Sequence, residues 1–247
     1  MRIPRIYFPG PLSPDTIVTL DERAAKHLVR VLRLQSGAPL VLFNGQGGEY
    51  QAVLASAGKR EATARVTCHV SREVESPLPV VLAQCMARGT RMDYTLQKAV
   101  ELGVTAIVPL TSERCEVRLS PEKVAGRLQH WEGVCISACE QCGRNRVPAV
   151  HPPAALADWL RQDAGAQSHP LKLVLDTAGD QRLHRLPAPA GTVVLLSGPE
   201  GGLSGAEIAM ARGCGFTPLG LGPRTLRAET APLAALTAIQ TLWGDLG

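Results

Sequence analysis

Two glycine-rich stretches of this 247-residue chain hold residue types suited to chemistry. The first is Ser197-Gly198-Pro199-Glu200-Gly201-Gly202, which follows an apolar run and precedes Ser204 and Glu207, the pair that opens a capped helix. Glycines there let a ligand approach the backbone closely, and the loop N–H groups are free to donate to it. The second runs from Leu219 through Gly220, Leu221, Gly222, Arg224, Leu226, Arg227 and Glu229 to Thr230. It joins an expected strand, Phe216 to Leu219, to an expected helix. A helix dipole disfavours cations at its N-terminus. Two arginines in that place therefore suit contact with an anion, a phosphate or a base better than they suit a structural cap. The competing readings are a tight strand-to-helix turn for the first stretch and solvated surface arginines for the second. Neither the dinucleotide spacing GxGxxG nor the phosphate-binding GxxxxGK(S/T) is present, which disfavours NAD and nucleoside triphosphates.

Three further groups are weaker. Cys135, Cys139 and Cys142 have the spacing of three-cysteine iron–sulfur sites in radical enzymes. At 100° per residue, however, Val124, Leu128, Trp131 and these cysteines share an arc of roughly 80° on one predicted helix. They read as an apolar stripe in which cysteine is a small hydrophobe. Arg23, Lys26, Arg30 and Arg33 share an arc of roughly 80° on a predicted helix from Glu22 to Leu34, opposite Leu28, Val31 and Leu32. Such a basic stripe is either a solvated face or a nucleic-acid contact. The six histidines show no paired-ligand spacing, so no metal site is expected.

Elements must hold these groups in place. Pro77 and Pro79 mark an expected boundary. Before it, Leu40 to Phe43, Glu49 to Ala55 and Ala62 to Val70 read as strands, with Asn44-Gly45 a hairpin turn signal. Residues 1–76 are thus expected to form a small β-barrel-like domain. After the boundary, strands at Val80–Ala83, Thr105–Leu110, Leu171–Leu175 and Thr192–Leu196 alternate with helices at Met92–Leu102, Ser120–Cys142, Ala154–Leu160, Ser204–Arg212 and Thr230–Trp243. That alternation implies an α/β domain over residues 77–247 with a mainly parallel sheet. Hydrophobic residues make up 45% and charged residues 19%, which excludes a disordered chain. The net charge is +4, ten Lys and Arg standing against seven Asp and Glu before residue 79, so an anionic partner is favoured. No apolar run is long enough to span a membrane, no secretory signal is read at the start, and the scattered, odd number of cysteines suits a reducing cytoplasm.

These residues resemble a known family. His27-Leu28-Val29-Arg30-Val31-Leu32-Arg33, Arg91-Met92-Asp93 with Gln97 to Gly103, Glu140-Gln141-Cys142-Gly143-Arg144, Gly198 to Gly202 and Leu221 to Ala231 are together similar to the motifs of the RsmE-type 16S rRNA methyltransferases of the SPOUT class. The last two motifs are the most specific. Cys142 stands where the family has Ser, and Thr225 where it has Ile. The resemblance implies a SPOUT-type trefoil-knotted α/β domain preceded by a small PUA-like β-barrel domain that binds RNA. It implies S-adenosyl-L-methionine as cofactor, held by Leu196, Gly198, Pro199, Glu200, Gly201, Gly202, Leu219, Leu221, Gly222 and Leu226. It further implies a homodimer acting on N3 of uridine 1498 in 16S rRNA, within the 30S subunit. Arg224, Arg227 and Glu229 are then the expected catalytic residues, with Glu200 and Glu140 as other candidate bases or orienters. Arg23, Lys26, Arg30, Arg33 and Arg144 are the expected RNA contacts. A SPOUT enzyme acting on another RNA such as tRNA, and a non-catalytic assembly factor, stay open.

Overall fold

A computed structural model describes residues 3–58, 61–165 and 171–247. The chain divides into two compact units, Met1–Glu75 with Cys139–Val147, and Ser76–Ala138 with Pro148–Gly247.

The first unit contains β1 (Arg5–Tyr7), β2 (Ile17–Leu20), α1 (Glu22–Ala25), β3 (Pro39–Phe43), β4 (Glu49–Ala57) and β5 (Ala62–Val70). The strands form one sheet in the order β1-β3-β4-β5-β2, with β1 parallel to β3 and the other pairs antiparallel. Two register shifts between β4 and β5 bend the long hairpin, as bulges do. The sheet curls as a half-barrel around Ile6, Leu28, Leu40, Leu42, Leu54 and Val66, all but removed from solvent. The short edge strands β1 and β2 carry no strand-like alternation long enough to be expected from sequence.

Two readings of this unit change. The helix expected from Glu22 to Leu34 is α-helical only through Ala25, where the Asp21 side chain caps the Ala24 amide at 2.7 Å. Lys26–Val31 then winds as a π-helical turn, with the Leu32 amide donating to the His27 carbonyl five residues back at 3.0 Å. The angular arithmetic of an α-helix fails there. Leu28 stays buried, whereas Val31 and Leu32 are 64% and 41% exposed instead of facing the core.

The second change concerns Cys139–Val147, which the expected division at residue 76 leaves with the C-terminal domain. These residues pack with the first unit, and a polar network gives the reason. Glu140 accepts from the Tyr7 amide at 3.0 Å and from Arg23 at 2.8 and 3.0 Å. Asn145 accepts from Arg5 and donates to the Arg72 carbonyl, both at 2.6 Å. Arg144 pairs with Glu75 at 2.6 Å, its side chain 4% exposed. Arg144 is therefore a buried brace and not an RNA contact, since its guanidinium is enclosed and already neutralised. Arg23 pairs with Glu140 but keeps about half of its side chain exposed, 48%.

The second unit is a seven-stranded parallel sheet with helices. In chain order it holds β6 (Val80–Cys85), α2 (Thr90–Glu101), β7 (Ala106–Thr111), α3 (Pro121–Cys142), β8 (Ala149–Val150), β9 (Ala154–Ala155), α4 (Leu156–Gly165), β10 (Leu171–Leu175), β11 (Val193–Ser197), α5 (Gly205–Gly213), β12 (Thr217–Leu219) and α6 (Thr230–Trp243). The last turn of α3 passes into the first unit. The strand order is β12-β10-β11-β6-β7-β8, with β9 also on β7, and every pair is parallel. Covering both faces of such a sheet requires strands that are apolar throughout. All five residues of β11 are buried, Leu195 and Leu196 completely. Trp131, Cys135 and Cys139 lie buried on one side of α3, as an apolar stripe should. All seven cysteines are free thiols. No helix among the described residues is long and apolar enough to cross a membrane.

Candidate cofactor site and its relatives

In an open α/β sheet, ligands bind outside the carboxyl ends of the strands. Here β10, β11 and β12 are neighbours and release three loops on one side. After β11, the Gly202 amide donates to the Pro199 carbonyl at 2.9 Å and closes a tight turn. Ser204 then caps α5 in a full capping box with Glu207. Arg114 braces this loop by donating to the Gly201 carbonyl at 3.1 Å. After β10, the Asp176 side chain accepts from the Ala178 amide at 3.0 Å, and the Asp176 amide donates to the Leu219 carbonyl at 3.1 Å. The loops after β10 and β12 touch backbone to backbone. A Cβ on Gly220 would lie 2.3 Å from the Gly179 carbonyl oxygen, so glycine alone permits that approach.

The three loops enclose a cavity of about 350 Å³. Gly198, Pro199, Glu200, Gly201, Gly202, Leu219, Leu221, Gly222 and Leu226 all line it. Leu196 does not; it lies in the interior of β11 with its side chain wholly in the core. Arg224 lines the cavity, while Arg227 and Glu229 stand further along the same loop, outside the lining. None of these three side chains has a hydrogen bond or ion pair among the described residues. Sequence reasoning missed Asp176 and Thr177, which line the cavity at the carboxyl end of β10. The signal was available, because β10 itself is legible and the residues after a parallel strand face the ligand. Arg114, which comes from the loop after β7, has no comparable signal.

The carboxylates near the loops differ sharply. Burial pushes the Glu200 carboxyl up, but hydrogen bonds from the Arg88 and Glu200 backbone amides and from Arg91 at 3.0 Å outweigh it and hold the group below its ordinary value. Asp176, by contrast, faces the cavity with no cationic partner among the described residues. Cys85, at the end of β6, is pushed up to about 12 by burial and stays a neutral thiol at physiological pH. Among the described residues no three His, Cys, Asp or Glu side chains gather as a metal site requires.

A glycine-lined cavity at the strand ends of a parallel sheet is where an open α/β domain takes a small ligand, and the match to a family model makes the molecule an RNA methyltransferase. The RNA methyltransferase domain model matches residues 74–240, and the RNA methyltransferase PUA domain model matches residues 20–67. The chain belongs to the ribosomal RNA small subunit methyltransferase E family. It is 34% identical to the protein of that name from Buchnera aphidicola (subsp. Schizaphis graminum), over 99% of this chain and 98% of that one. Among solved structures it resembles the ribosomal RNA small subunit methyltransferase E of Neisseria gonorrhoeae bound to S-adenosyl methionine, with 41% identity, a TM-score of 0.92 and full coverage of both chains. A protein of Legionella pneumophila, solved with its bound cofactor SAM, gives 40% identity and a TM-score of 0.95, again over both whole chains.

Proposed function

We propose that the chain transfers a methyl group from S-adenosyl-L-methionine to N3 of a uridine, position 1498, in the 16S rRNA of the small ribosomal subunit. The observation that carries the reading is one cavity shared by two glycine loops, lined by Arg224, which has no partner among the described residues, in a chain of this family. The same reading takes in a trefoil knot in the second unit, a homodimer, a cytoplasmic setting and the 30S subunit as partner, all supported by family membership.

The residues present fit the cofactor. The cavity volume falls in the range of ~300–1,000 Å³ usual for small-molecule sites. Its apolar lining, from Leu219, Leu221, Leu226 and Ile208, suits a flat ring. Gly222 has a φ of 101°, and nothing lies within 4 Å of where its Cβ would stand, so its backbone is open to a ligand. Asp176 suits the positive charge of a sulfonium or an ammonium. When bound, the cofactor supplies an electrophilic methyl carbon.

The chain must do the rest. Uracil N3–H is a weak acid, and negative charge spreads onto O2 and O4 as its proton leaves. Arg224 and Arg227, unpaired among the described residues, stabilise that charge. Of the three carboxylates considered, Glu140 is held by Tyr7 and Arg23, and Glu200 by Arg88 and Arg91. Glu229 has no donor among the described residues, and it takes or orients the N3 proton.

The test is methyl transfer from labelled S-adenosyl-L-methionine to 30S subunits from a strain lacking the gene, followed by mass spectrometry of the nucleosides. The expected product is 3-methyluridine at one site of 16S rRNA. Label in tRNA alone, or cofactor binding with no transfer to any RNA, overturns the assignment.

A further inference from the structure

The four residues Arg30-Val31-Leu32-Arg33 break two local rules at once. Val31 and Leu32 are large apolar side chains, 64% and 41% exposed. Arg33 holds a left-handed backbone, φ 54°, which its β-carbon disfavours. Neither feature is fraying. Val29 and Leu34, on either side, pack against the core of the first unit, and the Leu34 amide donates to the Leu28 carbonyl at 3.0 Å. The π-helical turn over Lys26–Val31 is what rotates Val31 and Leu32 outward, and such turns cluster at functional sites.

The surroundings identify the occupant. Lys26, Arg30 and Arg33 are exposed, and their side chains have no hydrogen bond or ion pair among the described residues. Residues 26–33 contain no acidic side chain. Two aliphatic side chains fall far short of the ~800 Å² per partner that a stable protein interface buries. Cations spaced around a small apolar tip instead match a polyanion with apolar faces between its charges. We propose that this turn is an RNA wedge. Val31 and Leu32 pack against the faces of unpaired or unstacked bases, while Lys26, Arg30 and Arg33 neutralise the flanking phosphates. The inference rests on the proposed RNA substrate and deepens it, because it assigns base contact where the sequence promised only charge.

Salt separates the two kinds of contact. Phosphate contacts release counterions and set the slope of affinity against salt, whereas apolar contacts do not. Binding of full-length protein to 30S subunits is measured across a salt series for wild type, V31S/L32S and R30Q/R33Q. The V31S/L32S variant is expected to bind roughly tenfold more weakly at every salt concentration with the slope unchanged, as loss of one base contact would give. The R30Q/R33Q variant is expected to lower the slope by about 1.4–1.8. Thermal unfolding and cofactor calorimetry should be unchanged in V31S/L32S. If wild type binds and methylates 30S subunits while V31S/L32S binds equally well, the wedge is overturned and the functional reading stands. A changed sedimentation coefficient in V31S/L32S assigns the turn to a protein contact and overturns the wedge. Wild type that binds no RNA overturns both.

Discussion

Arginines serve opposite ends in two regions of the molecule. In the first unit, Arg5, Arg23, Arg72 and Arg144 are each matched to a carboxylate, and Arg144 is almost wholly buried with Glu75. Beside the cavity of the second unit, Arg224 and Arg227 have no partner within the described chain. Arg144, Arg224 and Arg227 all stand in motifs that mark the family, so membership of a motif does not separate brace from reagent. The charge balance does. A guanidinium neutralised at folding stabilises the fold, whereas one left open keeps its field for something that arrives later.

The contrast breaks most visibly at Arg144. Removing one partner of a buried ion pair strands the other charge, so Arg144→Ala is expected to cost about 3–5 kcal/mol, read as a large fall in Tm. Activity per folded molecule should be retained at a temperature where the variant is folded. The converse holds for Arg227→Ala. Turnover should fall by roughly 10²–10³, the usual cost of losing one charge-stabilising donor, with Tm and cofactor affinity nearly unchanged. An equal loss of turnover and cofactor affinity would place Arg227 in cofactor binding instead.

A smaller effect sharpens the picture inside the cavity. Asp176→Asn is expected to weaken S-adenosyl-L-methionine roughly tenfold in calorimetry, as loss of about 1.4 kcal/mol would. The demethylated product, whose sulfur is neutral, should be weakened less. Equal weakening of both would give Asp176 a role away from the positive charge. The smallest effect is one of pH. The Glu200 carboxyl lies below its ordinary value of 4.5 when folded, so its pairing with Arg88 and Arg91 contributes above that value. The contribution is lost as pH falls through the folded value. Cofactor affinity measured in that acid window should fall more steeply for the wild type than for Glu200→Gln.

What was legible in the sequence follows from how local each signal is. The glycine loops could be read because a strand, a tight turn and a helix cap stand within a dozen residues of each other, and Ser204 with Glu207 forms the box that their spacing announces. Leu196, which the resemblance implies as a cofactor residue, has its side chain in the core, because residues inside a strand buried on both faces point away from the loop. The π-helical turn was invisible because angular arithmetic presumes the α-helix it is meant to detect, and Val31 and Leu32 were placed inward on that presumption. The position of Cys139–Val147 was hidden for another reason. Its partners, Arg5, Arg23 and Glu75, stand more than sixty residues away in the chain, and no local pattern encodes a pairing across that distance.

That return of the chain has a consequence for synthesis. Chains emerge N-terminus first at ~5–20 residues per second, and domains generally close as they appear. The first unit lacks two of its ion-pair partners at that stage. When Glu75 leaves the ribosome, Arg144 has not yet been translated, and the carboxylate of Glu140 that Arg23 requires is also still to come. For several seconds, on the order of the time needed to add those residues, Arg23 and Glu75 stand unmatched in the half-barrel. Its completion is tied to the making of the last turn of α3, so the first unit is finished only after the opening stretch of the second has been translated.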